Sequence, residues 1–327
     1  MKIGILGAGT WGIALARMLA NSGHDVTVWS AVPGETAQLD KNKTHPNLPG
    51  MVIPETVRFT EEMQDACNGG ILLFAVPSIY VRETAKRAAK YIGPETIIVD
   101  VAKGIEPGTL MMMSEVIRDE VGQEHPVVAL SGPTHAEEVA RDLPTTIVSA
   151  CRDEAAARLV QDVFMNTCMR VYTNHDIRGV ELCGAMKNII ALAAGISTGL
   201  GYGDNAKAML ITRGIAEIAR LGDKMGCEQH TFAGLAGIGD LIVTATSMHS
   251  RNNRCGMLIG EGASAEEAAR KVGMVVEGVN ALPAAMELMR KYQVEMPIIA
   301  AVDAVVNHGA VPLEKVNELM QRGKKAE

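Results

Sequence analysis

The chain has 327 residues, 47% of them hydrophobic and 21% charged, and a single core seldom grows past about 250–300 residues, so two domains are expected. Its formal net charge is −7, and no basic block stands out beyond the Lys324-Lys325 pair. That argues against a nucleic-acid surface and requires any bound phosphate to be met by local positive charge. Aromatic residues are only 3%, against 33 Gly and 19 Met, so aliphatic side chains and methionine must fill the interior. Six scattered cysteines (Cys67, Cys151, Cys168, Cys183, Cys227 and Cys255) form neither a C-x-x-C pair nor a cluster with histidine at metal-ligand spacing. They predict reduced thiols in a cytoplasmic protein and no metal site.

Lys2–Leu6 reads as a buried strand, with no leader-like apolar segment before it. A helix follows over Trp11–Asn21, where Ile13, Leu15, Ala16 and Leu19 recur at helical spacing, and then a strand over Val26–Trp29. Further apolar runs occupy Gly70–Val76, Thr96–Val101, Val127–Leu130, Thr145–Ser149 and Met169–Tyr172, separated by helical stretches such as Ile79–Tyr91 and Leu110–Val121. Continuous rather than alternating runs indicate strands covered on both faces, the pattern of a doubly wound α/β sheet. From about Asp176 onward only helical patterns appear: Ile177–Ile196, Asn205–Met225, Ala265–Val272, Val279–Lys291 and Ile298–Val306. The longest apolar stretches, such as Ile189–Ile196, are too short to span a bilayer. The expected division is an α/β domain over residues 1–178 and an all-α domain over 179–327.

Gly7-Ala8-Gly9-Thr10-Trp11-Gly12 is G-x-G-x-x-G between a predicted strand and a predicted helix. In that context it predicts a Rossmann-type dinucleotide site. The glycines allow a tight turn and close backbone approach to pyrophosphate, and the helix N-terminus faces the phosphates. An acid at the end of the second strand would hold the ribose 2′-hydroxyl of NAD, and an arginine would favour the 2′-phosphate of NADP. Trp29-Ser30-Ala31-Val32-Pro33-Gly34-Glu35 offers only a late Glu35 and no arginine, which leaves NAD(H) and NADP(H) both open.

In Val180–Ile196 only Glu181 and Lys187 are charged. Two readings of Lys187 stand side by side. One is a snorkelling surface lysine. The other is an ammonium in a partly desolvated pocket, suited to general acid/base work, with Asn188 beside it. Asp240, directly after the flexible turn Gly237-Ile238-Gly239, reads as a helix N-cap. His249-Ser250-Arg251-Asn252-Asn253-Arg254 reads as an exposed loop or a phosphate-binding cluster. Ala102-Lys103-Gly104 and Ser131-Gly132-Pro133-Thr134 follow strands, at carboxyl ends where open α/β sheets bind ligands.

Together these motifs resemble bacterial NAD(P)-dependent glycerol-3-phosphate dehydrogenases over essentially the whole chain. The most specific segments are Gly132-Pro133-Thr134-His135-Ala136-Glu137-Glu138, Leu200-Gly201-Tyr202-Gly203-Asp204-Asn205-Ala206-Lys207 and Met274-Val275-Val276-Glu277-Gly278. The resemblance implies that Lys187 exchanges the proton, that Lys103 contacts substrate near the reacting carbon, and that Asp240 supports Lys187. It implies sn-glycerol 3-phosphate binding by Lys103, Gly132, Thr134, Lys187, Asn188, Asp240, Ser250, Arg251 and Asn252. It implies cofactor contacts from Gly7, Gly9, Thr10, Trp11, Gly12, Lys103, Ala136, Arg251, Val275 and Glu277. Members of the family commonly carry Arg or His where this chain has Ala31-Val32, so a strong NADP preference is not implied. A site in an interdomain cleft, a homodimer formed through the helical domain and a supply of glycerol 3-phosphate for glycerophospholipid synthesis are further implications. Two other readings of the residues are a related dehydrogenase such as ketopantoate reductase, which would not require the Ser250–Asn252 cluster, and a non-catalytic dinucleotide sensor.

Overall fold

A computed structural model describes residues 1–324 of the chain; Lys325, half of the terminal lysine pair, lies outside the described residues. The chain divides into two compact units. The first comprises Met1–Glu106 and Met111–Glu181, and the second Leu182 onward with the short segment Pro107–Leu110.

The first unit runs β1 (Lys2–Leu6), α1 (Thr10–Asn21), β2 (Asp25–Trp29), α2 (Glu35–Asn42), β3 (Arg58–Thr60), α3 (Met63–Cys67), β4 (Ile71–Phe74) and α4 (Val81–Ala88). It continues with β5 (Ile97–Asp100), α5 (Met113–Val121), β6 (Val127–Ser131), α6 (Ala136–Val139), β7 (Thr145–Ala150), α7 (Glu154–Met165) and β8 (Met169–Asn174). The strands form one sheet in the order β3-β2-β1-β4-β5-β6-β7-β8. Every neighbouring pair is parallel except β6 with β7.

Register explains the unbroken apolar runs. Ile5 pairs with Val28 on one side and Leu73 on the other, and all three enter the core under α1. The next residues, Leu6, Trp29 and Phe74, pair in turn and enter the opposite core with Val81 and Ala85 of α4. With both faces covered, no position on these strands can be polar without a partner. Seven of the eight strands coincide with predicted runs to within a residue or two. The exception, β3, is three residues long with an exposed Arg58, too short and too wet to leave a hydrophobic signal. Because β1 lies between β2 and β4, the strand order reverses there, and the carboxyl ends of β1 and β4 flank the crevice where doubly wound sheets take ligands.

The second unit is helical. α8 (Ile177–Gly199) begins in the first unit and continues into the second, followed by α9 (Asp204–Lys224), α10 (Gln229–Phe232), a π-helical turn at Leu235–Gly239, α11 (Asp240–Thr246) and α12 (Arg251–Gly260). Then come α13 (Ala265–Val272), α14 (Glu277–Tyr292), α15 (Pro297–His308) and α16 (Pro312–Met320). The expectation that no apolar stretch could span a bilayer needs correction. The 23-residue α8 is long and apolar enough to do so, because Gly184, Lys187 and Asn188 interrupt the run without ending the helix. Its apolar window is entirely buried in the protein, as in the central helix of a globular unit.

Helices α8 and α12 meet through glycine. A Cβ on Gly195 would stand 2.1 Å from the Asn253 carbonyl oxygen, and one on Gly199 would stand 2.2 Å from that of Met257. Reciprocally, a Cβ on Gly256 would lie 2.2 Å from the Leu192 oxygen, and one on Gly260 would lie 2.3 Å from that of Ile196. Two glycines four apart on each helix remove the side-chain layer and let the backbones touch. This contact seats the start of α12 against the stretch of α8 that carries Asn188. Replacing Gly256 by Ala tests it. Helix propensity alone would stabilise by about 0.8–1 kcal/mol, but a methyl driven into backbone costs about 1–3 kcal/mol. We expect net destabilisation in urea unfolding; a stability gain would show that the helices part at little cost.

Candidate active site

The glycine turn joins β1 to α1. Gly7 has φ +122°, and its N–H donates to the Trp29 carbonyl at 2.9 Å, tying the turn to the end of β2. A Cβ on Gly12 would lie 2.1 Å from the Gly7 oxygen, so Gly12 is required by packing within the turn. Gly9 differs, since a Cβ there would meet no protein atom within 4 Å. Gly9 is also the N-cap of α1, which has no side-chain cap and no acid in its first turn. The first N–H groups of α1 therefore suit an anion, and the residues present fit a dinucleotide pyrophosphate. Thr10 Oγ1 accepts from Asn47 Nδ2 at 3.2 Å, and Trp11 is partly buried against the core under α1.

His45, without a constellation in the sequence, belongs to this neighbourhood. It is 7% exposed, accepts the Asn47 N–H on Nδ1 at 3.1 Å and hydrogen-bonds the backbone of Ala8. Burial holds its imidazole below the ordinary range against the opposing pull of Glu35. Only a tertiary contact reveals it; no local periodicity marks the turn that carries it.

At the carboxyl ends of β5 and β6, three predicted residues converge. Lys103 Nζ and Thr134 Oγ1 both donate to the Gly132 carbonyl, each at 3.1 Å. Ala136 opens α6 just beyond. The loop carrying Lys103 is anchored by Asp100, whose Oδ1 accepts the Ala102 N–H at 3.0 Å. Asp100 is 1% exposed, and its Oδ2 has no hydrogen-bond partner. Glu181, also buried, accepts from the Ser114 backbone N–H at 2.7 Å and from its hydroxyl at 2.6 Å. Burial pushes both carboxyls up, aided for Asp100 by the nearby Glu181, and Glu181 reaches about 7.

A carboxyl whose pKa is raised by folding gives its full stability while protonated. Glu181 therefore contributes most below its ordinary 4.5 and loses that contribution as pH climbs through about 7. The thermal midpoint should fall between about pH 5 and pH 8, and Glu181→Gln should fall less than the wild type over that interval. Parallel curves for the two proteins would show that Glu181 does not titrate there.

In the second unit, Lys187 is 5% exposed, so the snorkelling reading fails. Its Nζ donates to Asp240 Oδ1 and, at 2.7 Å, to Thr244 Oγ1. Asp240 is 1% exposed, and the Thr244 hydroxyl also bonds the Asp240 carbonyl at 2.6 Å. The N-cap reading of Asp240 needs correction as well. The π-helical turn at Leu235–Gly239 runs straight into α11, Gly239 is the N-cap, and no side chain caps this helix. Gly237 serves packing, since a Cβ there would stand 2.1 Å from the Phe232 oxygen. Asp240 is thus left to balance a lysine that could not otherwise be buried as a cation.

The exposed-loop reading of His249–Arg254 fails too. Ser250 caps α12 by accepting the Asn253 N–H at 3.2 Å, and Ser250, Asn252 and Asn253 are buried. Asn252 donates to Asn188 Oδ1 at 2.9 Å and accepts the Gly278 N–H at 2.8 Å, while Asn188 donates to the Gly184 carbonyl at 3.2 Å. Val275 precedes the N-cap of α14 and Glu277 opens it, so the Asn252–Gly278 bond ties that turn to α12. Arg251 is half-buried at the start of α12, and one turn on, Arg254 Nε is buried without a hydrogen-bond partner. Among the described residues no group of three or more His, Cys, Asp or Glu could hold a metal ion.

The ion pair can be tested by a double-mutant cycle. Asp240→Leu should cost about 3–5 kcal/mol by leaving a buried ammonium unbalanced, and adding Lys187→Met to it should recover most of that loss. Simple additivity of the single changes in chemical denaturation would mean the pair is not coupled.

The chain matches known proteins along its length. Residues 2–157 match the N-terminal part of the NAD-dependent glycerol-3-phosphate dehydrogenase family, and residues 176–317 match its C-terminal part. The glycerol-3-phosphate dehydrogenase [NAD(P)+] 2 of Lactobacillus delbrueckii subsp. bulgaricus is 65% identical, the alignment covering 100% of this chain and 98% of that protein. The crystal structure of a glycerol-3-phosphate dehydrogenase from Coxiella burnetii superposes with a TM-score of 0.94 at 37% identity, covering 98% of this chain and 99% of that one. A ketopantoate reductase from Ralstonia eutropha, at 16% identity and a TM-score of 0.65 over 97% of this chain and 100% of that one, shares the fold alone.

Proposed function

The chain belongs to the NAD-dependent glycerol-3-phosphate dehydrogenase family, and we infer that it is an NAD(P)-dependent oxidoreductase interconverting dihydroxyacetone phosphate and sn-glycerol 3-phosphate. The observation that carries this reading is the buried Lys187, held by Asp240 and Thr244 in a helix otherwise apolar around it. A non-catalytic sensor has no need to bury a lysine at the cost of a second buried charge.

A bound nicotinamide supplies or accepts the hydride in this reaction. Lys187 gives a proton to the substrate oxygen during ketone reduction and takes it back during alcohol oxidation. Asp240 orients the ammonium. Lys103, directed by the Gly132 carbonyl, adds positive charge where the alkoxide develops. Gly132, Thr134 and Asn188 shape the substrate's surroundings. The phosphate, which does not react, is the handle. Ser250, Arg251 and Asn252 hold it, and the unpartnered Arg254 Nε supports anion binding at the same helix start. Its binding energy positions the reacting carbon. Gly7, Gly9, Thr10, Trp11, Gly12, Lys103, Ala136, Arg251, Val275 and Glu277 contact the cofactor.

We assign dinucleotide binding to residues 1–178, and substrate binding and dimerisation to 179–327. A homodimer, a cytoplasmic location and a role in supplying glycerol 3-phosphate for glycerophospholipids complete the proposal. The location is supported by six cysteines that are thiols in the structure.

Mixing the protein with dihydroxyacetone phosphate and either NADH or NADPH should consume the reduced-nicotinamide absorbance. Lys187→Ala should abolish turnover while still binding cofactor. No consumption by folded wild type, or near-normal turnover in the variant, would overturn the assignment.

A further inference from the structure

NAD and NADP differ only at the 2′ position of the adenosine ribose, so the end of β2 decides between them. We propose that this chain selects NAD(H) over NADP(H) through Glu35, whose carboxylate is tethered by Ser30 to take the ribose 2′-hydroxyl. The inference rests on the functional reading above and deepens it.

In the sequence Glu35 lies late after the strand, which leaves the preference open. Folding removes the distance. Ser30, the first residue after β2, donates its hydroxyl to the Glu35 carboxylate and accepts the Val32 N–H at 3.1 Å. The turn thereby doubles back and returns Glu35 to the end of the strand. That end is itself bound to the glycine turn through the Gly7 N–H and the Trp29 carbonyl. A carboxylate offers about four acceptor sites, so the Ser30 bond leaves capacity for a ribose hydroxyl.

A second carboxylate stands close by. Glu61 accepts the Gly34 N–H at 2.8 Å, and its carbonyl accepts Trp29 Nε1 at 3.0 Å. The turn 30–36 contains neither Arg nor Lys. Neighbouring cations are engaged elsewhere. Arg58 pairs with Asp25 at 2.7 Å, at the opposite end of β2, and Lys43 pairs with Asp40 at 2.6 Å and Glu55 at 3.4 Å. Arg87 lies over the Trp29 ring, 5.1 Å from its centroid. His45, the imidazole that feels Glu35, is kept neutral near pH 7 by burial. A 2′-phosphate, with a charge near −1.5 to −2, would meet two carboxylates without a partner, whereas a hydroxyl donates to a carboxylate in a charge-assisted bond.

Isothermal titration of the full chain with ADP-ribose and with 2′-phospho-ADP-ribose reads this subsite without turnover. ADP-ribose should bind at least about tenfold more tightly, a difference of about 1.4 kcal/mol, and Glu35→Gln should shrink that ratio severalfold. Equal or tighter binding of the phosphorylated ligand by the wild type would overturn the proposal. So would an unchanged ratio in a folded Glu35→Gln protein. If that variant does not fold, the wild-type pair of titrations still decides. Dihydroxyacetone phosphate turnover without ligand discrimination would defeat this inference alone, and discrimination without turnover would defeat only the functional reading.

Discussion

An ammonium held away from water constrains everything that touches it. Lys187 sits on a helix whose neighbouring side chains are almost all apolar, and its burial is tolerable only because Asp240 and Thr244 complete its hydrogen bonds. Asp240 in turn is placed by a π-helical turn that runs without a break into α11. Gly237, three residues before Asp240, is there because the Phe232 backbone leaves no room for a side chain, rather than to loosen the chain. A departure from ordinary helix geometry, tight packing and a buried charge are thus one local solution. An apolar pair of the same volume would in general be as stable or more so. The charge is therefore best understood through chemistry.

The asparagine relay shows how the same unit organises polar groups around that pair. Asn188 is the next residue after Lys187; the Gly278 N–H donates to Asn252, which in turn donates to Asn188. Three helices are pinned to one another by amides that are satisfied on both sides. Arg251, beside Asn252, inherits its position from that relay and from the Ser250 cap.

Much of this was legible in the residues. The sheet announced itself because each central strand is buried on both faces, and the G-x-G-x-x-G turn because steric limits at Gly7 and Gly12 leave no substitute. Lys187 stood out as a charge inside an apolar stretch. Other features needed tertiary information. β3 is held by pairing with β2 rather than by its own composition. Whether Lys187 snorkels or is buried depends on Asp240, 53 residues away. Asp100 and Glu181 look like ordinary acids until strand β5 and helix α8 bury both. Gly195, Gly199, Gly256 and Gly260 did carry a readable signal, a four-residue glycine spacing on two helices, but it gains meaning only when the helices are seen to cross.

That crossing has an evolutionary consequence. Most core contacts can drift, because a larger side chain on one partner is offset by a smaller one opposite, and total volume is conserved. The four glycines of α8 and α12 face backbone, with carbonyl oxygens as their nearest neighbours. Nothing opposite them can shrink. No second-site change can make room for a first, so these positions are closed to neutral exchange of size, and the spacing between the two helices is inherited unchanged or lost.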